Sequence, residues 1–267
     1  MTGFDPEIAA KSLIPKEVMA KASSLHLAIH LHPDFVEGAV MDPENREVLW
    51  NETFFLEDSN PQDFKRISEF VTLRNWGDRV FRKTSITFDD PDFTLVPHGF
   101  LIPGRESEIL KFATQRDPEQ AESYSISEIG ASLLFNLPSE IRKLAARFPN
   151  CKFYNSAAFF IKESLRQSKD KSGFHVLSQK GFMLVVACSN GEIKLTNHFG
   201  IQGVDDVLYH LANTAMRLEV DLASSNVTLY GKTSDEKLTE LLINYVGNVK
   251  TAPSHLSYSV LIHFLCA

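Results

Sequence analysis

Leu25 to His32 alternates without a break: Leu25, Leu27, Ile29 and Leu31 are apolar, and His26, Ala28, His30 and His32 lie between them. Strict alternation places the two sets on opposite faces of a strand. Phe35 to Met41 reads as a second strand, Asp42-Pro-Glu-Asn45 as a turn and Glu47 to Leu56 as a third strand, which predicts a three-stranded meander. The same opening recurs about 150 residues later, a spacing too long for a solenoid repeat. Here the strands are Phe174 to Ser178, Gly181 to Cys188 and Glu192 to Phe199, with turns at Gln179-Lys180 and Ser189-Asn-Gly191. Asn-Gly between apolar runs is a hairpin signal. A chain that opens twice in this way is confined to architectures built from two similar layered units.

The elements after each meander strengthen the duplication. Asn60-Pro61 starts a helix in which Phe64, Ile67, Phe70, Val71 and Leu73 recur at helical spacing until Gly77. A strand region from Ser85 to Pro97, interrupted at Asp89-Asp-Pro91, precedes a helix from Gly104 to Gln115. Strand pattern returns from Tyr124 to Pro138, then come a helix to Phe148, a strand Cys151 to Asn155 and a helix from Ser156 to Gln167. In the second half a helix from Val204 to Glu219, a strand Asn226 to Tyr230 and a helix Ser234 to Val246 come after the meander. Both halves read strand, strand, strand, helix, strand, helix, and such alternation builds layered α/β sheets. In the first half that order is expected to close at Gln115. Polar Ser168-Lys-Asp-Lys-Ser-Gly173 is the expected hinge, dividing residues 1–170 from a smaller unit, 171–267.

Composition excludes several function classes. A net charge of −7 gives phosphate backbones and anionic lipid little general attraction, so neither nucleic acid nor a membrane is expected as the partner. Cys151, Cys188 and Cys266 are scattered and odd in number, which predicts reduced thiols. The amino terminus carries acids where a secretory signal would carry positive charge, and the longest apolar run, Phe182 to Cys188, is too short to span a bilayer. These features together predict a cytoplasmic protein.

Two tandem units of this order resemble the actin-like ATPase superfamily, whose domains share a ribonuclease-H-like fold with mixed sheets and helices on both faces. Ser132-Leu-Leu-Phe-Asn-Leu-Pro138, a helix, Cys151 to Asn155 and Ser156-Ala-Ala158 are similar to the close of the first domain in actin-like pilus-assembly proteins. Gly200-Ile-Gln-Gly-Val-Asp205 resembles the turn after the third strand of their second domain. The chain looks most like an uncharacterised bacterial family with that fold.

The resemblance implies a nucleotide cleft, and the chain departs from the family there. Active members carry Asp-x-Gly-[Thr/Ser] in the first hairpin, where the aspartate organises magnesium. Placing that hairpin on Ile29 to Asp42 puts His30 at the aspartate, His32 at the glycine and Pro33 at the hydroxyl residue. Asp34 or Asp42 remains open as a substitute acid. The second hairpin, Phe174 to Gly181, also lacks the motif and leaves Ser178 as its cleft candidate. The adenosine-contacting Gly-Gly turn falls on Gly231-Lys232, where a lysine side chain crowds a purine. Losing the magnesium acid and both phosphate loops removes most of what phosphoryl transfer requires. The expectation is a nucleotide-independent binding or scaffold protein with a protein partner, no cofactor and no catalytic residue. The competing expectation is an ATP-binding switch or enzyme centred on the histidine face.

His26, His30 and His32 share that face. His26 and His30 stand about 13 Å apart along an extended strand and only His30 and His32, at about 7 Å, are close enough to share an ion, so no metal is expected. Asp89, Asp90 and Asp92 read as a solvated turn, and Asp205-Asp206 as first-turn acids favoured by a helix dipole. The apolar stretch Leu256 to Cys266 either packs on the second unit or forms a partner surface.

Overall fold

The computed structural model describes residues 14–32, 35–56, 64–74, 76–169, 171–179, 181–230 and 236–252. The apolar Leu256 to Cys266 stretch and the expected helix start at Asn60-Pro61 lie outside them. A short helix, Lys16–Met19 (α1), leads into His26–His32 (β1), Phe35–Asp42 (β2) and Glu47–Phe55 (β3), then Phe64–Leu73 (α2) and Lys83–Phe88 (β4). Phe93–Pro97 (β5), Glu106–Thr114 (α3), Ala121–Ile126 (β6) and Ala131–Asn136 (β7) come next. Ser139–Ala145 (α4), Cys151–Asn155 (β8) and Ser156–Gln167 (α5) complete the first half. The second half runs Gly173–Gln179 (β9), Phe182–Ser189 (β10), Glu192–Gly200 (β11), Val204–Arg217 (α6), Asn226–Tyr230 (β12), Glu236–Ile243 (α7) and Asn248–Thr251 (β13).

Two five-stranded sheets have the same order, β3-β2-β1-β4-β8 and β11-β10-β9-β12-β13. In each, the meander is antiparallel, the fourth strand of the order pairs parallel with the meander's first strand, and the fifth pairs parallel with the fourth. The registers match in detail. Met41 opposes Val48 and Val40 opposes Trp50, which leaves Leu49 as an extra residue; Cys188 opposes Ile193 and Ala187 opposes Leu195, which leaves Lys194 in the same position. Asn190 and Gly191 both have positive φ, 51° and 77°, as the tight turn expected from Asn-Gly requires.

Three features differ from the sequence expectation. The Ser85 to Pro97 region is two strands in two sheets, because the chain leaves the main sheet after Phe88 and enters a separate three-stranded sheet, β5-β7-β6. The Tyr124 to Pro138 region is likewise two strands, folded back at Ser127–Gly130. β5, β6 and β7 belong to an insertion between β4 and α4, so the counterpart of α7 is α4 and not the helix ending near Gln115. The second sheet also gains a fifth strand, β13, which is too short and too polar to announce itself, whereas the fifth strand of the first sheet is the expected Cys151–Asn155.

Packing obeys the alternation. Met183 and Val185 face one way, into a cluster with Val207, Leu211, Leu238 and Leu242 of α6 and α7. Leu184 and Val186 face the other way, into the large cluster that also holds Phe160 and Ile161 of α5 and Leu27, Ile29 and Leu31 of β1. Helix α5 is buried from Ser156 to Ile161 and again from Glu163 to Leu165, so it is a shared core element of both halves.

Gly38 on β2 sits beneath a perpendicular pair of indoles, Trp50 and Trp76, whose ring centroids are 5.6 Å apart. A Cβ there would lie 2.7 Å from the Trp76 ring and 2.8 Å from that of Trp50. Gly38→Ala is therefore expected to destabilise by about 2 kcal/mol in urea unfolding. Gly99→Ala, which meets nothing within 4 Å, serves as the control and is expected to change stability by less than about 0.5 kcal/mol.

Candidate functional site

The even-numbered face of β1 carries His26, Ala28, His30 and His32, and all four are buried. His26 Nε2 lies 2.8 Å from Ser85 Oγ on the neighbouring strand, well away from the other two histidines. His30 and His32 stand near the carboxyl end of β1, where Asp89 comes directly after β4 and its amide donates to Leu31 O at 3.2 Å. That hydrogen bond extends the parallel ladder by one step and brings Asp89 beside the histidine pair.

The Asp89 carboxylate is the centre of the cluster, with its side chain 0% exposed. His30 Nε2 lies 3.1 Å and His32 Nε2 3.9 Å from its Oδ2. Gln179, the last residue of β9, donates through Nε2 to the same oxygen at 3.4 Å. Both sheets thus meet on one carboxylate, the first through His30 with His32 beside it and the second through the final residue of its first strand. Burial alone raises the Asp89 pKa; the His30 charge and hydrogen bond, then His32 and the Ser156 hydroxyl, outweigh it and hold the group near 2. An ionised carboxylate accepts only, so His30 Nε2–H is the donor. The Phe35 ring stacks on His32 at 4.3 Å between centroids and meets His30 edge-on at 5.6 Å.

Asp89 is therefore not part of a solvated turn, because the β1–β4 pairing carries it inside. Asp90 is also largely buried, which pushes its carboxyl up to about 6. Its backbone oxygen accepts from Asn155 Nδ2 at 2.8 Å, and Asn155 Oδ1 caps α5 through Ala157 N at 2.9 Å. Asp92 is partly buried and pairs with exposed Arg116 at 3.2 Å. Asp206 accepts from the amides of Gln202 and Gly203, the structural role expected at a helix start.

Of the cleft candidates, His30 and His32 come together. Ser178 is half-buried opposite Met183, and it is the adjacent Gln179 that reaches the cluster. Pro33, Gly231 and Lys232 lie outside the described residues, as does Asp34. Asp42 is no substitute acid, since it lies at the far end of β2 and accepts from the amides of Glu44 and Asn45. Among the described residues no three His, Cys, Asp or Glu side chains are grouped to hold a metal ion.

A second buried polar cluster was not evident in the sequence. His175 on β9 lies 2.6 Å from Ser168 Oγ through Nε2 and 3.0 Å from the Tyr230 hydroxyl through Nδ1. Its only sequence signal is a polar residue at an alternating position of a strand.

Both clusters have measurable consequences. Removing one member of a buried pair leaves the other uncompensated, so Asp89→Asn is expected to cost about 3 kcal/mol in urea unfolding at neutral pH; no loss would show that the pair does not hold the sheets. Burial, with Lys83 nearby for His26, lowers His26 and His175 from 6.5 to about 4. Both fold as neutral imidazoles, so their contribution is present above pH 6.5 and is lost as pH falls through about 4. Unfolding free energy should decline across that window, and the decline should flatten in a His26→Asn, His175→Gln variant.

The architecture is that of known proteins. A protein from Bacteroides thetaiotaomicron with an actin-like ATPase fold and unknown function matches with a TM-score of 0.84 at 16% identity, over 96% of this chain and 100% of the other. A chain of the PilM–PilN type IV pilus biogenesis complex matches with a TM-score of 0.52 at 9% identity, over 89% of this chain and 94% of the other. No curated protein matches the sequence. The fold is the actin-like ATPase fold, and with a family model matching residues 16–249, the chain belongs to the family described as protein of unknown function DUF3822.

Proposed function

We propose that this chain is a nucleotide-independent, non-catalytic member of its fold, acting as a cytoplasmic bacterial binding or scaffold module. The observation that carries the reading is the buried His30–Asp89 pair at the position where the resemblance puts a magnesium-organising acid. An imidazole donor occupies the place of a metal-binding carboxylate, and Gln179 joins it on Asp89, so protein groups supply the link between the sheets that a nucleotide and its metal supply in an active cleft. The Phe35 ring against His32 adds apolar bulk beside the same carboxylate. Two domains, 1–170 and 171–267, suit the reading, since each main sheet falls within one of them.

A protein partner is supported by the PilM–PilN complex, in which a chain of this fold is part of an assembly. It is also supported by Phe100 and Phe112 in the insertion, 75% and 81% exposed, because apolar surface of that kind is what a partner covers. A cytoplasmic setting agrees with Cys151 and Cys188 being free thiols, and among the described residues no helix is long and apolar enough to cross a membrane.

The alternative, a switch or enzyme centred on the histidine face, is favoured by one observation: a histidine hydrogen-bonded to a carboxylate is an arrangement used in general acid–base chemistry. Against it stands burial, since His30, His32 and Asp89 have almost no exposed surface on which to meet a substrate. Calorimetry with ATP and magnesium separates the readings. Neither saturable micromolar binding nor turnover above a heat-killed control is expected. Micromolar affinity would overturn the nucleotide-independent reading, and turnover abolished by His30→Ala would install the enzyme in its place.

A further inference from the structure

Apart from the insertion, the two copies differ at the end of the second sheet that lies opposite the Asp89 end. There the chain leaves a cavity of about 690 Å³, bounded by Lys171, Phe174, Lys194, Leu218, Val220 and Asn226, among others. That volume falls within the range of small-molecule sites, roughly 300 to 1,000 Å³.

The pseudo-symmetry supplies an internal control. Lys194 is the extra residue of the bulge between β10 and β11, and the matched bulge between β2 and β3 presents Leu49. A bulge re-aims the side chain it carries, and the two halves use one device for opposite chemistry. Leu49 packs on the large apolar cluster together with buried Ile14, Val18 and Ala22 from the segment that precedes β1. The segment preceding β9 offers Lys171 and Ser172 instead, both exposed. Between α2 and β4 the first half contributes the fully buried Phe81, whereas between α6 and β12 the second half contributes Val220, 45% exposed, with Ser224 and Ser225. Large apolar groups close this place in the first half. Small hydroxyls and two lysines leave it open in the second.

The lining sorts into two kinds. Phe174, Ala187, Leu218 and Val220 give an apolar wall, while Lys171 and Lys194 bring positive charge to a protein that is acidic overall. Lys171 makes no ion pair among the described residues. Lys194 pairs with Glu192 at 2.5 Å, but both are exposed, and a surface pair of this sort exchanges readily for a better anion.

We propose that this cavity binds a small organic anion: a carboxylate held by Lys171 and Lys194 with an apolar body of acyl or aromatic type against Phe174, Leu218 and Val220. The site is separate from the His30–Asp89 cluster and does not depend on the reading given to that cluster.

The test uses the full chain, amide-resolved NMR titration and three probes: octanoate, phenylbutyrate and the neutral octanol. At least one carboxylate should bind saturably and shift the amides of Gly173, Lys194 and Val220, with octanol at least about tenfold weaker than octanoate. Lys194→Leu, which installs the residue of the first half, and Lys171→Ala should each weaken carboxylate binding about tenfold. Both positions are exposed, so the variants are expected to fold, and an unchanged spectrum outside the cavity verifies it. Equal affinity for octanoate and octanol, carboxylate binding indifferent to both substitutions, shifts confined to another surface, or no carboxylate binding up to millimolar concentration would each overturn the proposal.

Discussion

A carboxylate sealed from water between two sheets must be matched or neutralised, and in this protein that requirement fixes how the halves meet. Asp89 is charged because His30 donates to it and His32 stands behind, and Gln179 from the other sheet shares the same oxygen. The Coulombic gain of such a pair is offset by desolvation, so its net contribution to stability is small while its removal is costly. The pair and Gln179 bring the ends of β1, β4 and β9 to one buried oxygen.

Around that point the duplication is regular where backbone geometry matters and free where side chains matter. Sheet order and the bulge one step from the hairpin end are the same in both halves. The residues at matched positions are not: His32 answers to Gln179, Leu49 to Lys194, His26 to Gly173. Alternation and turn chemistry specify the ladder, and many sequences meet those demands. Each half can then commit its inward and outward faces to different tasks while keeping one framework.

Much of this was legible in the chain. Leu25 to His32 declared both a strand and which residues share its histidine face, and Asn190-Gly191 declared its hairpin, because period and turn conformation are local properties. Asp89 was not legible as a partner of His30. The two are 59 residues apart and meet through the register of parallel strands, which no local pattern encodes. The insertion misled for a related reason: α3 has a good amphipathic pattern and comes after a strand, so it read as the counterpart of α7 although it belongs to another sheet. β13, Asn248–Thr251, has one apolar residue and lies at a sheet edge, where pairing needs little hydrophobic signal.

The insertion begins and ends at nearly one point. Asn136 N donates to Asp92 O at 3.0 Å, so the strands that bracket the inserted unit are tied at its base, and β4 leads to α4 as if the intervening residues were a short link. Loop-closure entropy grows only slowly with length, and a segment whose ends are already joined adds little strain to the ladder it interrupts. The unit is thus modular in geometry: its size is decoupled from the parallel pairing of Thr84 with Cys151.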